Sequence, residues 1–171
     1  SVATRLRQAF VIETDRNFGQ DPRFGVMVMC EIATGALTPG HTDSGTAIDI
    51  IGRLTRLLSR WGTAKENQGP AHEPRYPHLY AEPLLEEDLF EDAFMQIARD
   101  GAGLVEIQVR LQKSLEALAG IGPPAFRAAA REQAQTALSR ARDNLTSPYD
   151  QARLAHASEW LKQRQPEHDT P

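Results

Sequence analysis

The strongest constraint on the fold is an amphipathic run in the middle of the chain. Apolar side chains recur there every three or four positions, as Leu104, Ile107, Leu111, Leu115 and Leu118. This spacing places them on one face of an α-helix. Gly120 and Gly122 follow and are typical of a helix end. The run therefore predicts one well-defined helix that packs against other elements.

Five further helices are predicted from periodicity, caps and breakers. They run from Pro22 to Leu37, from Ser44 to Gly62, from Asp88 to just before Gly101, from the Pro123-Pro124 pair through an alanine-rich segment, and from the cap Ser147 onward. The first of these helices carries its apolar stripe at Phe24, Val28, Ile32 and Gly35. Gly52 in the second helix predicts close packing against a neighbour, because glycine within a helix is otherwise unfavourable.

The composition supports a mainly α fold, because aromatic residues make up only 6% of the chain and alanine is abundant. That balance favours helices packed through small side chains over a β-sandwich. A length of 171 residues fits one domain. We expect a bundle-like single soluble domain of about six helices over residues 1–171, with 163–171 as a frayed tail.

One small β element is also predicted. The segment between the second and third helices is irregular and rich in proline. Proline confines strands to sheet edges. A two-stranded ribbon that pairs Phe10 to Thr14 with Tyr76 to Leu84 satisfies that restriction.

Charge and cysteine content exclude some classes of protein. The net charge is -4, whereas a general nucleic-acid binder is usually basic, so we expect no nucleic-acid partner. The single cysteine, Cys30, cannot form an internal disulfide and is expected to be a buried, inert thiol in an apolar helix. No apolar run reaches the roughly 18 residues that span a bilayer. The chain begins at Ser1, and we expect a longer protein with a membrane segment upstream.

The segment Ala36 to Leu54 is either a turn or a site. His41 and Asp43 precede the second helix in an H-x-D pattern. Two ligands do not make a zinc site, so no metal is predicted. Asp43 is instead expected to cap the helix that begins at Ser44, with Thr42 as a rival cap. Asp49, further on, is spaced to pair with Arg53 at i,i+4.

Three arginines, Arg53, Arg56 and Arg60, lie on one face of the second helix and are expected to point outward. A solvated helix face explains them on composition alone. The alternative is contact with anionic lipid or an acidic partner. The acidic segment Glu82 to Asp92 is interpreted as negative charge at a helix N-terminus.

No nucleotide-binding, protease or redox motif is present, and no cofactor or catalytic residue is predicted. We expect the domain to self-associate as a homo-oligomer. The basis is the alanine-rich segment Ala129 to Ala141, which permits close helix approach, and the small residues Gly35 and Ala36.

Two motifs carry a family resemblance. "DRNFGQDPRFG" and "EIATGALTPGHTDSGTAIDIIGRL" resemble the cytosolic part of a family of predicted bacterial integral membrane proteins, the domain of unknown function 2254. The family patterns are Arg-Thr-x-x-Gln-Asp and Ala-Leu-Ser-Pro-x-x-Asn-Asp-Pro-x-Thr-Ala. The matching residues are Arg16, Gln20, Asp21, Ala36, Leu37, Pro39, Asp43, Thr46 and Ala47. Ser44 replaces the proline after the cap, and Asn17, Thr38 and Thr42 are the other substitutions.

The resemblance implies a membrane-associated domain on the cytoplasmic side, with the transmembrane helices upstream. Three functions then remain open. The favoured hypothesis is a non-enzymatic regulatory or assembly role. The second is a small-ligand or ion sensor with a site at the Pro39 to Thr46 turn; its candidate residues are Arg16, Gln20, Asp21, His41, Asp43 and Thr46. The third is a hydrolase without a recognised motif.

Overall fold

A computed structural model describes residues 4–5, 16, 18–19, 21–40, 42–67 and 83–162. Six α-helices lie within these ranges. They are α1 (Pro22–Ala36), α2 (Ser44–Glu66), α3 (Glu86–Asp100), α4 (Val105–Ala119), α5 (Pro124–Asn144) and α6 (Pro148–Ala157), followed by a short 3-10 turn at Glu159–Lys162. The mainly helical prediction is confirmed.

The described residues contain no strand, so the predicted ribbon is not supported. Phe10 to Thr14 and most of Tyr76 to Leu84 lie outside the described residues. Pro83 and Leu84 are described, and neither is in a strand. Leu84 instead packs against the helical core, which gives its side chain an apolar environment without strand pairing. The predicted tail, 163–171, also lies outside the described residues.

Local capping chemistry sets most helix starts as predicted. Asp21 accepts a hydrogen bond from the backbone N–H of Phe24 at 3.0 Å, and Pro22 is the first residue of α1. Ser147 caps α6 through the N–H of Asp150. These bonds satisfy backbone donors that a helix leaves unpaired. The predicted caps at Asp21 and Ser147 are therefore confirmed.

Two predicted boundaries differ from the structure. The helix α2 continues four residues past Gly62 to Glu66, because Gly62 does not adopt the positive φ typical of a glycine that ends a helix; its small size instead makes room for the ring of Phe126. The helix α3 begins at Glu86, before the predicted Asp88, and its first turn holds three acidic residues. Negative charges stabilise the positive N-terminal end of a helix, so these residues extend α3 by a partial turn.

Five helices close into a ring around one core. Going round the ring, α1 packs on α2, α2 on α4, α4 on α5, α5 on α3, and α3 on α1. The helix α6 lies outside this ring against α4. Phe90, Phe94 and Phe126 are fully buried in the core, and the rings of Phe90 and Phe126 meet edge-on at 4.9 Å.

The alanine-rich helix α5 turns its alanines toward the core of this ring. Its residues Ala129, Ala130, Ala134, Ala137 and Ala141 are buried. Their small side chains let α5 approach α3 and α4 closely. They are therefore covered within one chain and do not provide a surface for a second copy.

The helix α1 has two apolar faces, and the face in the core is not the predicted stripe. Val26, Cys30 and Ala33 are buried, and Leu37 continues that side after the helix ends. The stripe of Phe24, Val28, Ile32 and Gly35 lies on the opposite side of the helix. Its middle is half-buried, and Ile32 is 49% exposed. Periodicity alone could not choose between these two faces, since both repeat at helical spacing.

Candidate functional site

The turn between α1 and α2 is built around Asp43. The backbone N–H of Asp43 donates to the carbonyl oxygen of Ala36 at 2.7 Å, which closes the turn. Gly40 has a φ of +86°, a conformation that favours glycine. The sequence Pro39-Gly40 therefore prevents α1 from continuing and reverses the direction of the chain before α2 begins.

Both carboxylate oxygens of Asp43 hold the first turn of α2. Oδ1 accepts from the backbone N–H of Thr46 at 3.1 Å, and Oδ2 accepts from the Thr46 hydroxyl at 2.7 Å. The predicted cap at Asp43 is confirmed. Ser44 ties the turn to α4, because its hydroxyl donates to a carboxylate oxygen of Glu106 at 2.9 Å.

A second polar cluster lies before α1. The Arg16 guanidinium donates from Nε to Asp21 Oδ2 at 2.7 Å and lies 5.1 Å from the centre of the Phe24 ring. The hydrogen bond from Arg16, with that from the Phe24 N–H, holds the pKa of Asp21 below its ordinary value. This cluster fixes the entry of the chain into α1.

The predicted ligand-binding residues are divided between the two ends of α1. Arg16 and Asp21 lie at its start, whereas Asp43 and Thr46 lie beyond its end. The fifteen residues of α1 span roughly 22 Å at the usual helical rise. These four side chains therefore do not converge on one ligand. Gln20 and His41 lie outside the described residues.

The three arginines of α2 are exposed, as predicted. Arg53 Nε donates to Asp49 Oδ2 at 2.7 Å, which confirms the i,i+4 pair. Arg56 and Arg60 have no acidic partner among the described side chains. The face of α2 that carries these residues is therefore only partly neutralised.

The close packing predicted at Gly52 is present, and its partner is charged. The Arg110 guanidinium, from α4, lies where a side chain on Gly52 would stand. Sequence reasoning gave no weight to Arg110. The signal that could have pointed to it is a glycine within a helix, which requires a close neighbour but does not identify it.

The acidic segment at the start of α3 is engaged in ion pairs that sequence reasoning missed. Arg23 of α1 forms two hydrogen bonds with Asp92, at 2.6 and 3.1 Å, and one with Asp88 at 2.8 Å. The bond to Asp92 raises the pKa of Arg23. Lys65 of α2 pairs with Glu86. These carboxylates join α3 to its neighbours α1 and α2.

Cys30 has the properties of a structural thiol. Its side chain is buried in the core, and burial raises its pKa to about 11. A thiol with so high a pKa is a poor nucleophile at neutral pH. The prediction of an inert thiol is therefore supported.

A cavity of about 480 Å³ lies between α4 and α6. It is lined by charges of both signs, including Lys113, Glu116, Arg153 and His156. Its described lining includes none of the predicted site residues. Within the ranges that the structure describes, no three His, Cys, Asp or Glu side chains are grouped to hold a metal ion. No described helix combines the length and the apolar character needed to cross a bilayer.

Comparison with known proteins shows a family match. The model of the family described as "Predicted membrane protein (DUF2254)" matches residues 1–117. This range includes the segments around α1, α2 and α3 and nearly all of α4. No curated protein and no solved structure matches the chain.

Proposed function

We propose that this chain, which belongs to the DUF2254 family of predicted membrane proteins, serves as a non-enzymatic assembly or regulatory domain on the cytoplasmic face of the membrane. Assembly works through contact between copies of the chain. The observation that carries the proposal is the second apolar face of α1. That face is defined by Phe24, Val28, Ile32 and Gly35, and we call it the outer face of α1.

The composition of α1 is unusual for a helix with one side toward solvent. Arg23 and Glu31 are its only charged residues among fifteen, and Arg23 is held by Asp92. A helix that is apolar all round is normally buried on all sides. Among the residues that the structure describes, only one side of α1 enters the core. The outer face therefore fits a helix that a second chain covers.

The outer face is continuous beyond the helix. The ring of Phe18, which is 66% exposed, stacks on the ring of Phe24 at a centroid distance of 4.9 Å. Single exposed apolar side chains are common on monomeric proteins, whereas a connected row is typical of an interaction surface. Covering one large apolar side chain contributes up to about 1.5–3 kcal/mol, so a few such residues support a dimer.

Gly35 extends the outer face at the C-terminal end of α1. Apart from the neighbouring residues and backbone of its own helix, a Cβ atom placed on Gly35 meets no atom within 4 Å. The glycine is therefore not needed for packing inside the domain. An exposed glycine on an apolar helix face allows close approach of another helix, as small residues do at helix contacts.

Sedimentation velocity over a wide concentration range tests the proposal. We expect the chain to associate, and Ile32→Glu to weaken the association about tenfold or more, since 1.4 kcal/mol corresponds to a factor of ten. Tyr149→Glu is the matched control, because it adds the same charge at a 72% exposed aromatic residue on α6. Its association should equal that of the wild type.

Two results would refute an assembly role for the outer face. One is a wild-type chain that stays monomeric at high micromolar concentration. The other is an equal loss of association in Ile32→Glu and Tyr149→Glu. Circular dichroism of each variant shows that a changed mass does not result from unfolding.

A further inference from the structure

Two arginine side chains from different helices converge over Gly52. Nη2 of Arg110, on α4, lies 2.8 Å from the position of a Cβ atom built on Gly52, and Nη1 of Arg56, on α2, lies 3.9 Å from it. Both cationic groups are thus within 4 Å of one point. Because Gly52 has no side chain, the head of Arg110 can rest against the surface of α2.

Neither guanidinium is neutralised within the described part of the chain. Asp49 pairs with Arg53, and Glu106, whose Oε1 accepts from the Ser44 hydroxyl, forms no ion pair with Arg110 within the described residues. Two like charges at short range repel each other unless a counter-charge lies between them. Arg23, by contrast, is paired with two aspartates. The chain has a net charge of -4, so carboxylates are available to pair with arginines. Acidic side chains are abundant, yet none of the described ones occupies this position.

We propose that Gly52, Arg56 and Arg110 form a binding site for a phosphate group. A guanidinium donates two parallel hydrogen bonds to a phosphate, and two such groups from separate helices hold it from two sides. Arg60 is exposed one helical turn beyond Arg56 and adds positive potential along the same side of α2. Arg53, paired with Asp49, lies outside the site.

The phosphate can come from a lipid headgroup or from a soluble compound, and the chemistry of recognition is the same. A lipid headgroup would bring this side of α2 and α4 to the membrane surface. A soluble phosphate would make the same residues a ligand-binding site. The site uses no residue of the outer face of α1, so it is independent of self-association.

Calorimetric titration with inorganic phosphate and co-sedimentation with vesicles test the site and separate the two sources. The vesicles are phosphatidylcholine alone or phosphatidylcholine containing phosphatidic acid. Binding of phosphate without vesicles indicates a soluble ligand. Binding only to vesicles that contain phosphatidic acid indicates a lipid headgroup. Either result supports the site, provided that it depends on Arg56 and Arg110.

Single substitutions test whether binding depends on Arg56 and Arg110. Arg56→Gln and Arg110→Gln should each weaken binding about tenfold, the usual scale for losing charge-assisted hydrogen bonds. Arg53→Gln is the matched control, because it removes the same charge from the same helix outside the site, and it should change binding less than about twofold at moderate salt. Gly52→Ala should also weaken binding, because its methyl group displaces Arg110.

The proposal is overturned if the wild type binds neither phosphate nor acidic vesicles. It is also overturned if Arg53→Gln weakens binding as much as Arg56→Gln, because that result indicates a diffuse positive field. Repeating the titration with Ile32→Glu keeps the two proposals apart: a phosphate site at Gly52 is retained in that variant whether or not the chain self-associates.

Discussion

The guanidinium of Arg110 fills the space that a side chain on Gly52 would occupy, with Nη2 only 2.8 Å from the position of the absent Cβ atom. Gly62, ten residues further along α2, has a similarly close neighbour of a different kind. There a Cβ atom would meet three ring carbons of Phe126 at 2.9 to 3.2 Å. The two glycines of one helix thus face a movable group and a rigid one.

This contrast predicts opposite effects of the same substitution on stability. Gly52→Ala should stabilise the fold by about 0.5–1 kcal/mol, because alanine favours the helix and the end of Arg110 can move. Gly62→Ala should destabilise it by about 1–3 kcal/mol, because Phe126 is fully buried and cannot yield. Urea denaturation of both variants measures the difference. Equal effects would show that the two neighbours are equally movable.

The cap at Asp43 predicts a difference between two substitutions. Asp43→Ala should lower the free energy of unfolding by about 1 kcal/mol, whereas Asp43→Asn should cost little, because both Asp and Asn cap well. Thermal melting with and without divalent metal ions checks this. If a metal stabilises the wild type and not the Asn variant, the turn is a cation site as well as a cap.

The lowered pKa of Asp21 predicts that part of the stability of the fold is lost at acidic pH. Its pKa in the folded state is lowered, first by the hydrogen bond from Arg16, from the ordinary 3.8. A lowered pKa contributes stability above the ordinary value, and that stability is lost as pH falls through the folded pKa. The stability advantage of the wild type over Asp21→Asn should therefore shrink below about pH 3.8. An advantage that stays constant down to pH 2 would contradict this assignment.

Cys30 predicts slow thiol chemistry. With a pKa near 11, raised by burial, its thiolate is scarce at pH 8 and its sulfur is out of contact with solvent. An aromatic disulfide reagent should therefore react much more slowly with the folded chain than with the chain in denaturant. Similar rates in both conditions would show that α1 opens readily.

Local features of the sequence predicted the helix starts, because each cap acts within three residues. Asp21, Asp43 and Ser147 all bond where the sequence placed them. Long-range partners could not be predicted in this way. Nothing near Gly52 in the sequence indicates Arg110, and nothing near Arg23 indicates Asp92. Arg23 and Asp92 are brought together by the packing of α1 on α3, which only the fold defines.

The core side of α1 shows a second limit of sequence reasoning. Its two apolar faces have the same periodicity, and the stripe that was singled out is the outer one. The alanine-rich helix α5 was also misinterpreted, as a surface for self-association. Its small residues serve contacts within the chain, so of the two segments on which self-association was predicted, only the one at Gly35 remains at the surface. Asp43 and Thr46 lie together in the turn, whereas Arg16 and Asp21 lie at the other end of α1.

Cysteine cross-linking at the outer face of α1 tests the central claim most directly. The native Cys30 is buried, so a thiol introduced by Ile32→Cys is the reactive one, and Ala152→Cys provides an exposed control on α6. A short bis-maleimide should join two copies of the Ile32→Cys chain at concentrations where the wild type associates, and should join few copies of the Ala152→Cys chain. Equal yields of cross-linked dimer from the two variants would contradict assembly through α1.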